Sequence, residues 1–91
     1  MSDTDRGNDL SVPTASSVLT YLVRSLVDEP DAVRVDAVEG RRGVKLEVRV
    51  APGDLGRVIG RRGRTAQSIR AVVRAAATRD EREVDVDFVD G

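Results

Sequence analysis

The segment Gly60-Arg61-Arg62-Gly63 combines residue types that can bind a phosphate group. Glycine has no Cβ, so the backbone at Gly60 and Gly63 can turn tightly and approach a ligand closely. A helix-forming stretch follows at once, and the unpaired N–H groups and positive dipole end of a helix N-terminus attract anions. Arg61, Arg62 and Arg64 stand where that dipole disfavours cations. Cations at a helix N-terminus cost stability unless an anion joins them, and a cost of this kind indicates a functional site. Phosphate is the anion that we expect there.

The charge distribution supports a polyanion site in the same part of the chain. The 91 residues carry a net charge of −1, yet residues 57–79 include seven arginines and no acidic residue. The rest of the chain holds 8 basic and 16 acidic residues, so a segment of charge +7 lies within a chain that is otherwise −8. Such an asymmetry is typical of a protein that binds a polyanion locally.

The residue types that are missing exclude several classes of function. The chain has no cysteine and no histidine, which excludes disulfides, thiol chemistry, imidazole catalysis and the usual zinc sites. Asp85 and Asp87 form no convincing catalytic or metal pair, because strand alternation already explains them as the wet face of a sheet. Neither a Walker A sequence nor Gly-x-Gly-x-x-Gly occurs. We therefore expect no enzyme, no cofactor and no metal.

The length predicts one small domain behind a short tail. Ninety-one residues can bury one thin core. Residues 1–14 are polar and acidic, so we predict a disordered tail there and a single domain over residues 15–91. The tail does not read as a signal peptide, and no apolar run approaches the roughly 20 residues that span a bilayer, so we predict a cytoplasmic protein.

The first half of the domain is predicted from hydrophobic periodicity. Apolar residues at three- and four-residue intervals predict a helix over residues 15–28, with Ser16 or Ser17 as its cap and Pro30 as its stop. Alternation then predicts two strands, near residues 33–37 and 44–50, joined by Gly40-Arg41-Arg42-Gly43. Because this second Gly-Arg-Arg-Gly segment lies between strands, we interpret it as a hairpin turn.

The second half is predicted to hold two helices and a strand. A short helix capped by Asp54 leads to Ile59, and a longer helix over residues 64–79 follows the glycines. One face of the longer helix is apolar, with Ala66, Ile69, Val72, Val73 and Ala76, and another face carries Gln67, Arg70 and Arg74. Alternation predicts a last strand over residues 84–88. The predicted fold is α+β, in the order helix, strand, strand, helix, helix, strand, with the helices on one face of a three-stranded sheet.

These residues resemble a K-homology (KH) domain. The family signature is an aliphatic pair, Gly-x-x-Gly and a later aliphatic residue, and the chain meets it with Val58, Ile59, residues 60–63 and Ile69. A helix and a strand precede that core, as in the type II, bacterial class. Within this class the chain resembles the small single-domain proteins of the KhpA type over roughly residues 16–90. Ala66 departs from the general KH pattern, in which many members carry a larger aliphatic residue.

The resemblance implies binding of single-stranded RNA, with the loop clamping the backbone of about four nucleotides. Gly60 and Gly63 would let the backbone approach the phosphates, and Arg61 and Arg62 would supply charge. The other RNA-binding residues that the resemblance implies are an aliphatic bed for the bases (Val58, Ile59 and Ile69) and the border of the groove (Arg57, Arg64, Gln67 and Arg70).

The scarcity of aromatic residues limits how RNA can be read. Tyr21 and Phe88 are the only aromatics, and neither lies in the basic segment. A stacking platform of the RRM or OB type therefore cannot form there, so we expect phosphate contacts and aliphatic packing. We expect modest affinity and weak sequence preference, suited to an RNA chaperone or post-transcriptional regulator.

A second hypothesis stays open, in which the KH fold serves mainly to pair with another subunit. One KH domain grips only a few nucleotides, so two linked sites would raise affinity. The resemblance implies a homodimer, or a heterodimer with a larger Jag/KhpB-type RNA-binding protein. The small residues Ala75, Ala76 and Ala77 at the end of the long helix are candidates for the pairing surface, and equally for the core.

Overall fold

The computed structural model describes residues 11–89. Its helices are α1 (Pro13–Leu26), α2 (Leu55–Ile59) and α3 (Arg64–Ala77), and its strands are β1 (Arg34–Glu39), β2 (Val44–Arg49) and β3 (Val84–Phe88). Short 3₁₀ turns occupy Pro30–Ala32, Pro52–Asp54, Arg61–Gly63 and Thr78–Asp80. The element order is the predicted one. Within residues 11–89, none of the helices combines the length and apolar character that crossing a membrane requires.

The three strands form one mixed sheet in the order β1-β2-β3. β1 and β2 are antiparallel, with Ala37 opposite Leu46, whereas β2 and β3 are parallel, with Leu46 opposite Val86. Side chains alternate along β2, so Leu46 is buried and Lys45 is exposed. Residues 40–43, hereafter the 40–43 turn, close the antiparallel pair as predicted.

The core lies where the helices cover one face of the sheet. Its fully buried side chains come from every layer and include Leu19 and Val23 of α1, Leu46 and Val48 of β2, Val58 of α2 and Val73 of α3. Burying each such side chain stabilises the fold by about 1.5–3 kcal/mol. The predicted α+β arrangement, with helices on one face, is confirmed.

Helix α1 begins at Pro13, earlier than predicted, and the assignment of Ser16 or Ser17 as its cap is wrong. Ser16 is only 3% exposed and lies inside the helix. Val12, placed by the sequence in the tail, is fully buried in the core. Residues 1–10 of the predicted tail lie outside the described part of the chain.

The N-terminus of α1 is capped instead by Asp80, which follows α3. The carboxylate of Asp80 accepts hydrogen bonds from the backbone N–H of Thr14 at 3.0 Å and of Ala15 at 2.9 Å. Partial burial raises the pKa of Asp80, but these hydrogen bonds outweigh it and hold the pKa below its ordinary value. A side chain more than sixty residues away thus does the work of a local cap and ties α1 to the end of α3.

Asp54 also differs from its predicted role. It occupies the N-cap position of α2, but its side chain makes no capping hydrogen bond to that helix. Its carboxylate accepts hydrogen bonds from the backbone N–H of Asp28 at 3.2 Å and of Glu29 at 3.1 Å. The guanidinium of Arg57 lies 3.4 Å from the same group. Asp54 therefore fixes the chain that leaves α1 to the start of α2, just before the glycines.

Candidate nucleic-acid interface

Residues 60–63, hereafter the 60–63 loop, join α2 to α3 in a conformation that requires glycine. Gly60 has φ 76° and ψ 175°, a region that is essentially restricted to glycine, and Gly63 is left-handed with φ 73°. The Gly60 N–H donates to the Gly56 carbonyl at 2.9 Å, and the Gly63 N–H donates to the Gly60 carbonyl at 3.2 Å. A Cβ at Gly60 would overlap the side chain of Thr65. The loop is therefore tight and closed by its own backbone.

Arg61 and Arg62 lie exposed at the tip of this loop. Arg62 has φ 57° and ψ 24°, a left-handed conformation that costs a residue with a Cβ roughly 1–2 kcal/mol. Among residues 11–89, neither guanidinium has a hydrogen-bond or ion-pair partner. Backbone strain of this kind is concentrated at functional sites, so a strained arginine beside a second unpaired arginine favours a binding site here.

The N-terminus of α3 adds backbone donors at the same place. Gly63 is its N-cap and provides no side-chain hydrogen bond, and the first turn contains no acidic residue. The N–H of Arg64 donates to the Arg61 carbonyl, but no side chain caps the helix start, and no carboxylate in the first turn offsets the dipole. An anion at the 60–63 loop would satisfy both conditions.

A groove runs from this end of α3 along the free edge of β3. The Arg70 Nε donates to the Val86 carbonyl at 3.1 Å, and its guanidinium lies 5.4 Å from the centroid of the Phe88 ring. Arg74 pairs with Asp85 at 3.0 Å. These contacts place α3 antiparallel to β3 and leave a depression of about 720 Å³ between them, whose lining includes Gln67, Arg70 and Arg74.

The structure brings part of the predicted RNA-binding set together, whereas the other residues of the set pack in the core or form ion pairs elsewhere. The 60–63 loop, Arg64, Gln67 and Arg70 follow one another along the exposed start of α3 and its groove side. Ile59 is half-buried, whereas Val58 and Ile69 belong to the hydrophobic core. Only Ile59 of the predicted aliphatic bed therefore offers substantial surface without a rearrangement.

Arg57 is engaged elsewhere in the structure. Its guanidinium pairs with Asp28 at 3.0 Å and lies near the buried Asp54. The predicted place of Arg57 at the border of the groove would require it to leave these two carboxylates, so its role in binding stays a prediction.

Most residues that line the groove were absent from the predicted set, as was Phe88 beside it. Phe88 lies beneath Arg70, and Asp85 pairs with Arg74. The sequence indicated a strand over residues 84–88 but did not indicate that α3 packs beside it. Only the packing of α3 against the edge of β3 brings these residues to the groove.

Comparison with known proteins identifies the family. The model of the KH domain of KhpA and KhpB matches residues 16–88. An RNA-binding protein KhpA from Leifsonia xyli is 58% identical over 72 residues, which cover 79% of this chain and 92% of that protein. An RNA-binding protein KhpA from Streptomyces coelicolor is 55% identical over 73 residues, covering 78% of this chain and 92% of that protein. These relatives are named as RNA-binding proteins and not as enzymes.

A solved structure shares the fold at much lower sequence identity. A crystal structure of an Aquifex aeolicus Era variant bound to GDP and AlF₄⁻ superposes with a TM-score of 0.65 at 20% identity. The match covers 87% of this chain but only 30% of that one, so it supports the fold alone. The family match and the relatives above show that the chain belongs to the KhpA/KhpB family of KH-domain proteins, as its sequence signature predicted.

Proposed function

We propose that this protein binds single-stranded RNA by holding the phosphate backbone at the 60–63 loop. The observation that carries the proposal is the pair of exposed arginines, Arg61 and Arg62, which have no partner among residues 11–89 and stand at the uncapped start of α3. Two guanidinium groups match the charge and hydrogen-bonding needs of a phosphate, and the positive end of the α3 dipole adds to their attraction. That the relatives are named RNA-binding proteins favours RNA over another polyanion.

The groove accounts for how the rest of the strand would lie. A backbone held at the loop would continue along α3, where Arg64, Gln67 and Arg70 offer polar contacts and Ile59 an apolar one. Arg70 is already held by the Val86 carbonyl, so little of its conformational freedom would be lost on binding.

The same geometry supports weak sequence preference. The Phe88 ring is covered on one side by the Arg70 guanidinium, and the other aromatic residue, Tyr21, lies on α1 outside the groove. No aromatic platform is therefore offered to the bases along the described groove, and phosphate contacts dominate. Such a binder suits an RNA chaperone or post-transcriptional regulator. The cytoplasmic location stays a prediction.

The test is fluorescence anisotropy of a labelled single-stranded RNA with the wild-type protein and with Arg61→Asp/Arg62→Asp. Arg24→Asp/Arg34→Asp, which reverses two exposed arginines on α1 and β1, is the control for net charge. We expect the loop variant to lose more than tenfold in affinity and the control to lose far less. The log–log salt slope of the wild type should be about −0.7 per phosphate contacted. Equal binding by both variants, with circular dichroism showing both folded, would refute the proposal.

A second function, pairing with another KH-domain subunit, is favoured by one observation on α3. Val72, which the sequence placed on the apolar face of the long helix, is 48% exposed, and its neighbours Ala71 and Ala75 are exposed as well. Ala77 is buried in the core and Ala76 is half-buried, so Ala75 is the member of the predicted alanine surface that is open to a partner. We propose that this uncharged strip contacts a second copy of the chain or a Jag/KhpB-type protein.

Sedimentation velocity tests the pairing function. The wild type and Val72→Asp would be compared alone and mixed with a KhpB-type protein of the same organism. We expect a dimer or a mixed complex that the substitution weakens, because a charge would be buried in the contact. A wild type that stays monomeric at micromolar concentration in both experiments would contradict the pairing.

A further inference from the structure

We propose that the 40–43 turn forms a second phosphate-binding site, so that a long RNA strand is held at both Gly-Arg-Arg-Gly segments. The proposal rests on the proposed function, since the same strand must first be held at the 60–63 loop. It extends the site to a surface that the sequence explained as a plain hairpin turn. Three features of that surface support it: a cavity, unpaired charge and a fixed backbone.

The cavity lies beside the turn and adjoins the groove. It has a volume of about 950 Å³, and its basic residues are Arg41, Arg42, Lys45, Arg74 and Arg82. Lys45, Arg74 and Asp85 line this cavity and the groove between α3 and β3 alike. A strand that follows the groove away from the 60–63 loop therefore enters the cavity without crossing another element.

The positive charge that remains unpaired in this cavity is on the turn and the adjacent strand. Two of the acidic residues there already have partners, because Glu39 pairs with Arg82 at 2.7 Å and Asp85 with Arg74 at 3.0 Å. Within residues 11–89, Arg41, Arg42 and Lys45 have neither a hydrogen-bond nor an ion-pair partner. Glu83 is the remaining acid in the lining. Three free cations against one acid leave the cavity attractive to a phosphate.

The turn is fixed in place by backbone contacts at its base. The Gly40 N–H donates to the Gly43 carbonyl at 2.8 Å, and the Val44 N–H donates to the Glu83 carbonyl at 2.9 Å. Gly43 approaches the main chain of Glu83 so closely that a Cβ would overlap it. The two arginines thus project from a closed turn that is attached to the connection between α3 and β3. Binding there would require ordering of the side chains alone.

The two segments lie at opposite ends of the groove. From Arg64 to Arg74, α3 advances about 15 Å at 1.5 Å per residue. The turn lies beyond Arg74, because Val44, which follows the turn, pairs with Val84 at the start of β3. A strand of about four nucleotides held at the 60–63 loop would occupy the first part of this path. A longer strand would reach the turn, and the two sites would act on one ligand.

The test compares a short and a long single-stranded RNA of uniform sequence, of about 4 and about 10 nucleotides. Binding would be followed by ¹H–¹⁵N spectra of the full chain, which detect weak as well as strong complexes. The variants are Arg41→Gln/Arg42→Gln for the turn and Arg61→Gln/Arg62→Gln for the loop. Arg24→Gln/Arg34→Gln removes two exposed arginines elsewhere and controls for net charge.

We expect the turn variant to weaken binding of the long strand about tenfold and to reduce its log–log salt slope by about 1.4, equivalent to two phosphate contacts. Its affinity for the short strand should equal that of the wild type. The long strand alone should shift the amide signals of Gly40 and Gly43.

An unchanged affinity of the turn variant for the long strand would overturn the inference while leaving the proposed function intact, provided that the loop variant is weakened. An equal loss for both strand lengths, or the same loss in the charge control, would also overturn it, because a general charge effect would then suffice. A wild-type protein that binds neither strand, or a loop variant that binds both normally, would refute the proposed function and this inference with it.

Discussion

The sequence Gly-Arg-Arg-Gly occurs twice in this chain, and the two copies fold differently. The 40–43 turn reverses the chain between antiparallel strands, and none of these four described residues has a positive φ. The 60–63 loop connects two helices, and three of its four residues, Gly60, Arg62 and Gly63, have a positive φ. The four letters therefore do not determine the conformation.

The glycines of the two segments meet different physical requirements. Gly60 is needed for its backbone angles and for the space beside Thr65, whereas Gly43 is needed because the main chain of Glu83 lies against it. The flanking periodicity selects between these outcomes. Alternating apolar residues in β2 place the first segment between two strands, and the helical spacing of apolar residues in α3 places the second segment before a helix. Substitutions matched between the two segments test this difference.

The largest effect is expected from Gly60→Asn, with Gly63→Asn as its matched control. Asparagine tolerates the left-handed conformation of Gly63, where a Cβ would meet open space. At Gly60, the ψ of 175° and the contact with Thr65 exclude any side chain. We expect urea unfolding to show a loss of about 3 kcal/mol for Gly60→Asn and less than about 1 kcal/mol for Gly63→Asn. Equal losses at the two sites would contradict the assigned roles.

The next effect concerns the close approach in the 40–43 turn. A Cβ at Gly43 would overlap the carbonyl of Glu83, whereas one at Gly40 would lie 3.3 Å from the Gly43 carbonyl. Because the overlapped atom belongs to the main chain, relief would require the turn to separate from the α3–β3 connection. We expect Gly43→Ala to lose about 2 kcal/mol in thermal or urea unfolding, and Gly40→Ala less than about 1 kcal/mol. A Gly43→Ala protein as stable as Gly40→Ala would show that the connection yields.

A third pair of variants should change stability in opposite directions. Arg62 is left-handed, so Arg62→Gly removes a strain of roughly 1–2 kcal/mol and adds an unfolded-state entropy cost of roughly 0.4–1 kcal/mol. Arg42 has no such strain, so Arg42→Gly adds only the entropy cost. We expect Arg62→Gly to be slightly more stable than the wild type and Arg42→Gly slightly less, as measured by chemical denaturation.

Arg62→Gly should also bind RNA more weakly, since the strained arginine contributes charge to the proposed site. A destabilised Arg62→Gly would show that the arginine side chain contributes to folding, and the argument from strain to function would then fail.

Much of the fold could be predicted from the sequence because its signals are local. Alternation over residues 44–50 and 84–88, and helical spacing over residues 64–79, reflect which side of each element meets the core. The loop and the arginines were likewise visible as a charge cluster between two helices. What could not be predicted depends on contacts between residues distant in the chain.

The missed features share that dependence. Asp80 caps α1 although it lies more than sixty residues away in the sequence. Asp54 accepts a hydrogen bond from the backbone after α1 and does not cap its own helix. Val72 fits the helical spacing of the apolar face, yet it is nearly half exposed because the core takes Val73 and Ala77 instead. The contact of Arg70 with β3 is of the same kind. No sequence pattern carries this information, because each partner is chosen by how the elements pack.

The smallest expected effect is a different response of the two segments to acid. A hydrogen bond from Arg82, with a further one from Ser11, holds the pKa of Glu39 below its ordinary value of 4.5, although partial desolvation opposes this. Because the folded-state pKa is lowered, the Glu39–Arg82 contact is complete above pH 4.5 and is lost as the pH falls through the lowered pKa. Glu39 directly precedes the 40–43 turn, whereas the 60–63 loop itself contains no carboxylate.

We therefore expect ¹H–¹⁵N spectra, recorded from about pH 6 to about pH 3, to show the amides of Gly40 and Arg82 shifting with a midpoint below 4.5. The amides of Gly60 and Gly63 should move much less over the same range. Glu39→Gln is the control, and it should abolish the transition at the turn because it removes the titrating carboxylate; a transition that persists would come from a nearby acid such as Glu83. A midpoint at or above 4.5 would show that Arg82 does not hold Glu39 in solution, and the base of the 40–43 turn would then be looser than its backbone contacts indicate.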